Sequence, residues 1–419
     1  MLDELNELDL TDESLYQFRQ VVLLLLIGEL YGLNTFRKIL SSVGITSKNC
    51  YKVWGKFSYK DLFDLVSKGF VDDFKEHLCQ LCQLSDSSWS RAEMTIIIDE
   101  TIFKTWLKCR FDDGRHAEYY GKYFSGQTHK SEYGFRFSLT GISMGDTFFP
   151  LYFNPILKGE KCSGQAVKMI REAGVLISQC AEKEGFTIPN LSLSLDAGYN
   201  KDEIITACGL LEESMGVKMN FICVPRKNNI IESGSFKGSI KQYIEEIFLV
   251  QESEHSGNKE FFIRQKVFYK ARNREVILLF FRLNNSKKVS VIYSTNLSIK
   301  AKTLRRRWFH RTKIEHFFRI MKETLKVQQS TVDSTHGFFK KVMLFALKAV
   351  FIKKFERFCQ KNFKELKNFT FWKLRQEIIY SLCDLSIIFD QLERCRFCRK
   401  ASLQNAKCQY VMIQKKSPI

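Results

Sequence analysis

Two short apolar runs each stop on an aspartate, Met94-Thr-Ile-Ile-Ile-Asp99 and Leu191-Ser-Leu-Ser-Leu-Asp196, and this pair constrains the fold more than any other feature of the chain. Runs of that length, rich in β-branched residues or strictly alternating, are of the buried-strand type. Between them, Phe135 to Met144 and Thr147 to Asn154 flank Gly145-Asp146, which suits a tight hairpin, and a helix is expected from about Gly164 to Lys183. After Asp196, Asn200 and Glu203 have capping-box spacing at the head of another helix, and Met219 to Val224 reads as a strand stopped by Pro225. The order is three strands, helix, strand, helix, strand. It predicts a mixed α/β sheet with helices on its faces, in which Asp99 and Asp196 end neighbouring strands and lie close in space.

The flanking regions differ in character. Residues 1–84 read as helical, and within them Thr35 to Leu40, a break at Gly44, and Thr46 to Trp54 resemble a helix-turn-helix, although any αα-hairpin reads the same. A polar linker follows at Ser85 to Ser90. Glu260 to Tyr269, Glu275 to Leu283 and Lys288 to Thr295 read as consecutive strands within a β-rich insertion of about residues 226–300. Arg264, Lys266, Lys270, Arg272, Arg274 and Arg282 on these strands either touch a polyanion or are ordinary exposed strand charges. Helix returns after residue 330, with Phe338 to Arg357 and Phe371 to Leu382 apolar on one side, and residues 351–419 form a basic helical region.

A third constellation is Trp308-x2-Arg311-x3-Glu315-x6-Lys322. At about 100° per residue these four positions fall within an arc of about 60° on one helix face. Ile314, Phe317, Phe318, Met321 and Leu325 form the neighbouring stripe such a helix would bury. One carboxylate is thereby flanked by groups suited to holding phosphate. An amphipathic helix with an Arg311/Glu315 surface pair reads the same residues.

Charge distribution favours the first of these readings. The formal net charge is +19, and residues 301–419 alone hold 27 basic and 9 acidic side chains, interleaved with aromatics as in RRRWFHR and FFRIMK. A field so concentrated favours a polyanionic partner, nucleic acid first, with salt-dependent binding. The longest strongly apolar run, Val21 to Ile27, is far short of the roughly 20 residues that span a bilayer, and its upstream flank is acidic, so no membrane is expected. Thirteen cysteines scattered through apolar segments read as reduced thiols of an intracellular protein. Cys79/Cys82 and Cys395/Cys398 are two CxxC pairs that a four-thiolate zinc site would use only if they met; buried or exposed thiols are preferred. Gly141-Ile-Ser143-Met-Gly145 matches a hydrolase nucleophile elbow, but strands on both sides exclude the strand-turn-helix that motif needs.

The segments IIIDET, LSLDAGYN and RRRWFHRTKIEHFFRIMKETLK resemble the three acidic motifs of DDE transposases of bacterial insertion sequences, in particular the group with a Tyr-x2-Arg-x3-Glu-x6-Lys signature. The resemblance spans roughly residues 90–330, and the spacing within the third motif is its specific part. It implies a ribonuclease-H-like catalytic core, here residues 91–225 and 301–350, carrying the insertion. By the same resemblance Asp99, Asp196 and Glu315 are the catalytic, metal-binding triad for Mg²⁺ or Mn²⁺, two ions in all, while Arg311 and Lys322 hold DNA phosphates. Trp308 stands where the signature has Tyr; it keeps a stacking surface and loses the hydroxyl. The implied partners are double-stranded DNA, as transposon terminal inverted repeats and target, and a second copy of the chain. The implied location is the bacterial cytoplasm, at the nucleoid. A DNA-binding protein derived from a transposase and a metal-dependent nuclease without strand transfer remain the alternatives.

Overall fold

The computed structural model describes residues 58–362, except 84–92, 105–117, 126–129, 146, 186, 189–190, 255–260, 283–287, 326 and 330–334. The expected helix-turn-helix, the Cys395/Cys398 pair and the basic region beyond residue 362 lie outside the described residues. Residues 58–349 form one compact unit.

The first described helix, α1 (Tyr59–Gln83), repeats a large apolar residue every four positions. Leu62, Val66, Phe70, Phe74 and Leu78 are all fully buried as a result, and the Phe74 ring meets Phe149 edge-on at 5.8 Å. The strands that follow are β1 (Met94–Lys104), β2 (Tyr120–Ser125), β3 (Lys130–Met144), β4 (Thr147–Pro155), β5 (Leu191–Leu195) and β6 (Met219–Cys223). Helices α2 (Cys162–Glu184) and α3 (Asp202–Met215) cross between β4, β5 and β6. Strand β1 pairs antiparallel with β3 along its whole length and parallel with β5, which pairs parallel with β6. The other edge of β3 is divided between β2 and β4. The mixed α/β sheet expected from the sequence is therefore present.

Strands β7 (Ile230–Ser233), β8 (Phe236–Ser239), β9 (Phe262–Tyr269), β10 (Arg274–Arg282) and β11 (Val289–Ser294) belong to the segment expected as an insertion. They continue the same sheet, because β11 joins β6 through Tyr293–Cys223 and Ser294–Ile222, giving the order β2-β3-β1-β5-β6-β11-β10-β9-β7-β8. The sequence reading missed β2, whose first residue Tyr120 is buried while Lys122 and Phe124 are exposed, so it lacks a continuous apolar signal. It also missed the β7–β8 hairpin and the helical segment through Ile240–Tyr243, Ile244–Phe248 and Leu249–Glu254.

Helices cover both faces. On one, α1, α2, α3 and the Ile240–Glu254 segment bury Ile96, Ile98, Leu193, Phe221, Leu278 and Phe280. On the other, Ile222, Ile277, Leu279, Phe281 and Ile292 pack under α4 (Ala301–Phe309), with Leu304 and Trp308. Strict alternation along β5 follows from this: Leu193 and Leu195 face the first layer, while Ser192 and Ser194 point toward the α4 side. A short helix, α5 (Thr312–Arg319), a π-helical turn at Ile320–Thr324 and α6 (Thr335–Asn362) complete the described chain. Phe338 of α6 stacks on Phe135 at 4.9 Å.

Gly134 opposes Lys104 in the β1–β3 ladder, where a Cβ would lie 2.2 Å from the Phe103 carbonyl oxygen. That contact is with backbone, so the two strands would have to separate. Gly134→Ala should cost about 2–3 kcal/mol, measured as a drop in the urea midpoint, and a loss under about 0.5 kcal/mol would overturn this account of the glycine.

Candidate active site

Asp99 does not end its strand. Strand β1 runs on to Lys104, held by β3 and by burial of Thr101 and Phe103, because both residues find core contacts beyond the aspartate. What ends is the parallel ladder to β5, whose last pair is Ile97–Ser194. Continuing that register by two residues sets Asp99 beside Asp196, the first residue after β5. The two carboxylates thus stand at the open end of a parallel ladder, on the face covered by α4 and α5.

The third carboxylate comes from α5. The expected continuous helix is interrupted at His310 and Arg311, so α4 and α5 are separate, and Arg311 sits in the turn with its backbone N–H donating to the Trp308 carbonyl at 3.0 Å. Its guanidinium reaches all three acids. Nη1 lies 3.4 Å from Asp99 Oδ2 and 3.7 Å from Asp196 Oδ2, while Nη2 donates to Glu315 Oε1. Side-chain exposure grades outward, from 14% for Arg311 and 17% for Asp99 to 40% for Glu315 and 49% for Asp196. Burial pushes the Asp99 carboxyl up to about 7, against the pull of Arg311 and of the Glu100 N–H that donates to Asp99 Oδ1 at 2.9 Å. Burial also pulls Arg311 down, but Asp99, Asp196 and Glu315 outweigh it and hold its proton more tightly than usual. Among the described residues, no three carboxylate, imidazole or thiolate groups are placed to hold a metal ion as they stand. The chemistry of the donor set nonetheless suits a hard cation: three carboxylates converge, and the deepest is under-compensated.

These groups line a groove of about 1270 Å³ whose walls add Glu100, Lys104, Glu132, Arg136, Arg319 and Lys322. Lys322 falls in the π-helical turn, its ammonium 5.8 Å from the Phe103 ring centroid, and burial pushes it down to about 8. Lys104 pairs with Glu132 at 2.7 Å and Arg136 with Glu100 at 3.8 Å. The structure therefore brings Asp99, Asp196, Arg311, Glu315 and Lys322 to one groove. It does not bring Trp308 there. That indole packs edge-on against Phe281 at 6.1 Å and Phe309 at 5.3 Å, with its Nε1 buried and without a hydrogen-bond partner, because the turn at His310 separates it from Glu315.

Part of the basic run is structural. Arg307 is buried, donating to Ser192 Oγ at 3.0 Å and to Glu93 Oε1 at 3.3 Å, and Arg306 reaches the same Glu93 oxygen at 2.7 Å. Burial raises the Glu93 carboxyl, but Arg307 and Arg306 outweigh it and hold it below the ordinary range. His310 is buried with Nδ1 3.2 Å from Thr95 Oγ1. Ser192 and Thr95 thus anchor α4 four residues before Asp196 and Asp99 along the same strands. Lys313 completes the attachment by donating to Ser143 Oγ at 2.9 Å, which leaves that serine a structural acceptor within β3.

His310 carries a pH signature. Burial, with Lys313 nearby, pushes it down to about 4 from an unfolded value of 6.5, so the folded state binds fewer protons between those values. Its contribution is fully present above pH 6.5 and is lost as pH falls toward 4, about 3 kcal/mol in all. Asp99, raised to about 7, acts with the opposite sign over much of that window, gaining stability as pH falls. The comparison is therefore between wild type and His310→Gln: the variant should lose less stability between pH 6.5 and 5 in urea melts, and parallel pH profiles would reject the assignment.

The Asp196 loop is held from the other side by a part-buried polar network. Asn200 does not cap α3, whose first flanking residue is Lys201 with no side-chain cap. Instead Asn200 Oδ1 accepts from Tyr293 at 2.7 Å and from Arg272 Nε at 2.9 Å, and its Nδ2 donates to Tyr269 at 3.2 Å. Of the other cations of this region, which read either as polyanion contacts or as ordinary strand charges, several are similarly engaged: Arg264 with the Leu297 and Ile299 carbonyls, Lys266 with Glu275, Lys270 with Glu232 and Arg282 with Glu252. Arg274 is exposed. No sequence signal short of the pairing itself would have separated these roles.

The described free cysteines include Cys79, Cys180, Cys208 and Cys223, of which Cys223 donates to the Asp196 carbonyl at 3.2 Å. Among the described residues, no helix is long and apolar enough to cross a membrane. No family model matches the chain, and no curated protein matches it. Among solved structures it is similar to endonuclease V of Ciona intestinalis bound to a 23mer DNA containing an inosine followed by a ribo-adenosine, at 12% identity and a TM-score of 0.27, covering 56% of this chain and 86% of that one. A second structure of that endonuclease, with a 24mer DNA, is similar at 12% identity and a TM-score of 0.25, covering 54% and 81%.

Proposed function

We propose that this protein is a metal-dependent DNA strand-cleaving and strand-transferring enzyme of the DDE transposase type, built on a ribonuclease-H-like core. The observation that carries the reading is the convergence of Asp99, Asp196 and Glu315 on the Arg311 guanidinium, from β1, the end of β5 and α5. Three acidic groups far apart in sequence meet at the floor of an open groove, and of its wall cations Lys104 and Arg136 pair with Glu132 and Glu100, while Arg319 and Lys322 are placed to meet a phosphate backbone. The succession β1, β3, β4, α2, β5, α3 and β6, with β4-β3-β1-β5-β6 adjacent in the sheet, supports the core assignment.

In this reading Asp99, Asp196 and Glu315 hold Mg²⁺ or Mn²⁺, which supplies activation of water and stabilisation of the leaving oxygen in a phosphodiester displacement. The chain's own residues do the rest. Lys322 and Arg311 orient phosphate, and β1 and β5 fix the two aspartates on rigid strands. The substrate is double-stranded DNA at transposon ends, with a second copy of the chain serving the second end.

The test is incubation of purified protein with labelled DNA carrying the sequences that flank its gene, in Mg²⁺ or Mn²⁺. Metal-dependent nicks at the ends followed by joined products or hairpins support transposition. Nicks without joining support a nuclease. Salt-sensitive binding with no cutting in either metal supports a DNA-binding protein and rejects the enzyme.

A further inference from the structure

We propose that Arg311 is a built-in counter-cation which a divalent metal ion must displace, and that the displaced guanidinium takes a phosphate of the DNA, so that metal and DNA each tighten the other's binding. This inference rests on the metal-site reading above.

The geometry sets up a competition. Arg311 engages one oxygen from each of the three carboxylates, so its guanidinium takes the place between them that a cation shared by the three would need. The guanidinium does not yield by losing its proton, because an arginine side chain stays charged in proteins. It yields only by moving. Movement is open to it: Asp196 and Glu315, its two outer partners, are 49% and 40% exposed and border the groove. Arg319 and Lys322 line that same groove with Arg311, so a phosphate backbone lying along it comes within reach of the Arg311 side chain. A phosphate offers the guanidinium a bidentate partner that replaces the carboxylates.

Two linked equilibria follow. A divalent ion alone must evict Arg311 into water, which weakens its binding; DNA alone must draw Arg311 from its acids, leaving them uncompensated. Together each supplies what the other removes. The coupling is reciprocal by thermodynamic necessity and, at typical magnitudes, amounts to about 5-fold to 150-fold in affinity.

The experiment is a Mn²⁺ titration, read by the loss of free-Mn²⁺ paramagnetic signal, on the full chain with and without a 30-base-pair duplex. Proteins compared are wild type, Arg311→Met, Arg311→Lys and Asp99→Asn. Wild type is expected to bind Mn²⁺ at least about fivefold more tightly with the duplex than without. Arg311→Met should bind Mn²⁺ at least about fivefold more tightly than wild type in the absence of DNA, with the duplex adding under about twofold. Arg311→Lys keeps the charge on a point donor that does not span three acids, so it should fall between the two and guards against a folding defect in the Met variant. Equal Mn²⁺ affinity for wild type, Arg311→Met and Arg311→Lys without DNA, where Asp99→Asn abolishes binding, overturns the counter-cation and leaves the metal site standing. Mn²⁺ binding that Asp99→Asn leaves intact, or none to any of the four proteins, overturns both.

Discussion

Asp99→Asn is expected to lower metal-dependent strand cleavage by about a thousandfold while DNA binding persists. Of the three acids Asp99 is the most enclosed, at 17% exposure, so water cannot substitute for its charge. Asparagine keeps the shape and accepts the Glu100 N–H as the carboxylate does. What it removes is a full negative charge at a position where a metal-ligand contact supplies several kcal/mol of charge stabilisation. At about 1.4 kcal/mol per decade, a loss of about 4 kcal/mol gives the stated factor. Single-turnover cleavage in Mn²⁺, beside a gel-shift titration of the same duplex, separates the chemistry from binding. Asp196→Asn and Glu315→Gln should follow Asp99→Asn in direction. An Asp99→Asn protein that cuts within about tenfold of wild type would sink the triad, since that is less than one metal contact is worth.

Arg307→Met is expected to destabilise the fold by about 3 kcal/mol, the low end for breaking a buried ion pair. The Arg307 side chain is 7% exposed and joins α4 to β5 through Ser192 and to the residue before β1 through Glu93. Methionine fills much of the volume but leaves Ser192 without its donor. Arg306, 2.7 Å from the same Glu93 oxygen, keeps that carboxylate partly compensated, which is why the low end applies. Arg307→Lys should recover less than half the loss, because one ammonium does not serve both partners. Urea melts measure the effect; a change under about 1 kcal/mol for Arg307→Met would show that packing of Leu304 and Trp308 alone holds the helix.

The two variants separate roles that the sequence presents as one basic run. Arg306, Arg307, His310 and Arg311 lie within six residues, yet Arg307 and His310 anchor the helix, Arg306 reinforces that anchor, and only Arg311 reaches the acids. Charge and spacing are the same kind of signal for all four. Their division depends on which strand residues lie beneath them, Ser192 and Thr95 or Asp196 and Asp99, and those come from more than a hundred residues earlier in the chain.

The sequence by itself determined the strands that carry the acids, their order with the intervening helices, and the helical spacing that puts Arg311 within reach of Glu315, because hydrophobic period and i, i+4 geometry are local properties. Alternation in Leu191-Ser-Leu-Ser-Leu195 even encoded which face is polar, although that face proved to be buried and to hold an arginine. Only the tertiary structure decided that β1 continues past Asp99, that Trp308 turns into the core, that Asn200 braces the Asp196 loop, and that β11 extends the sheet from β6. Each of those depends on pairings between distant segments, where burial and hydrogen-bond satisfaction outweigh local preference.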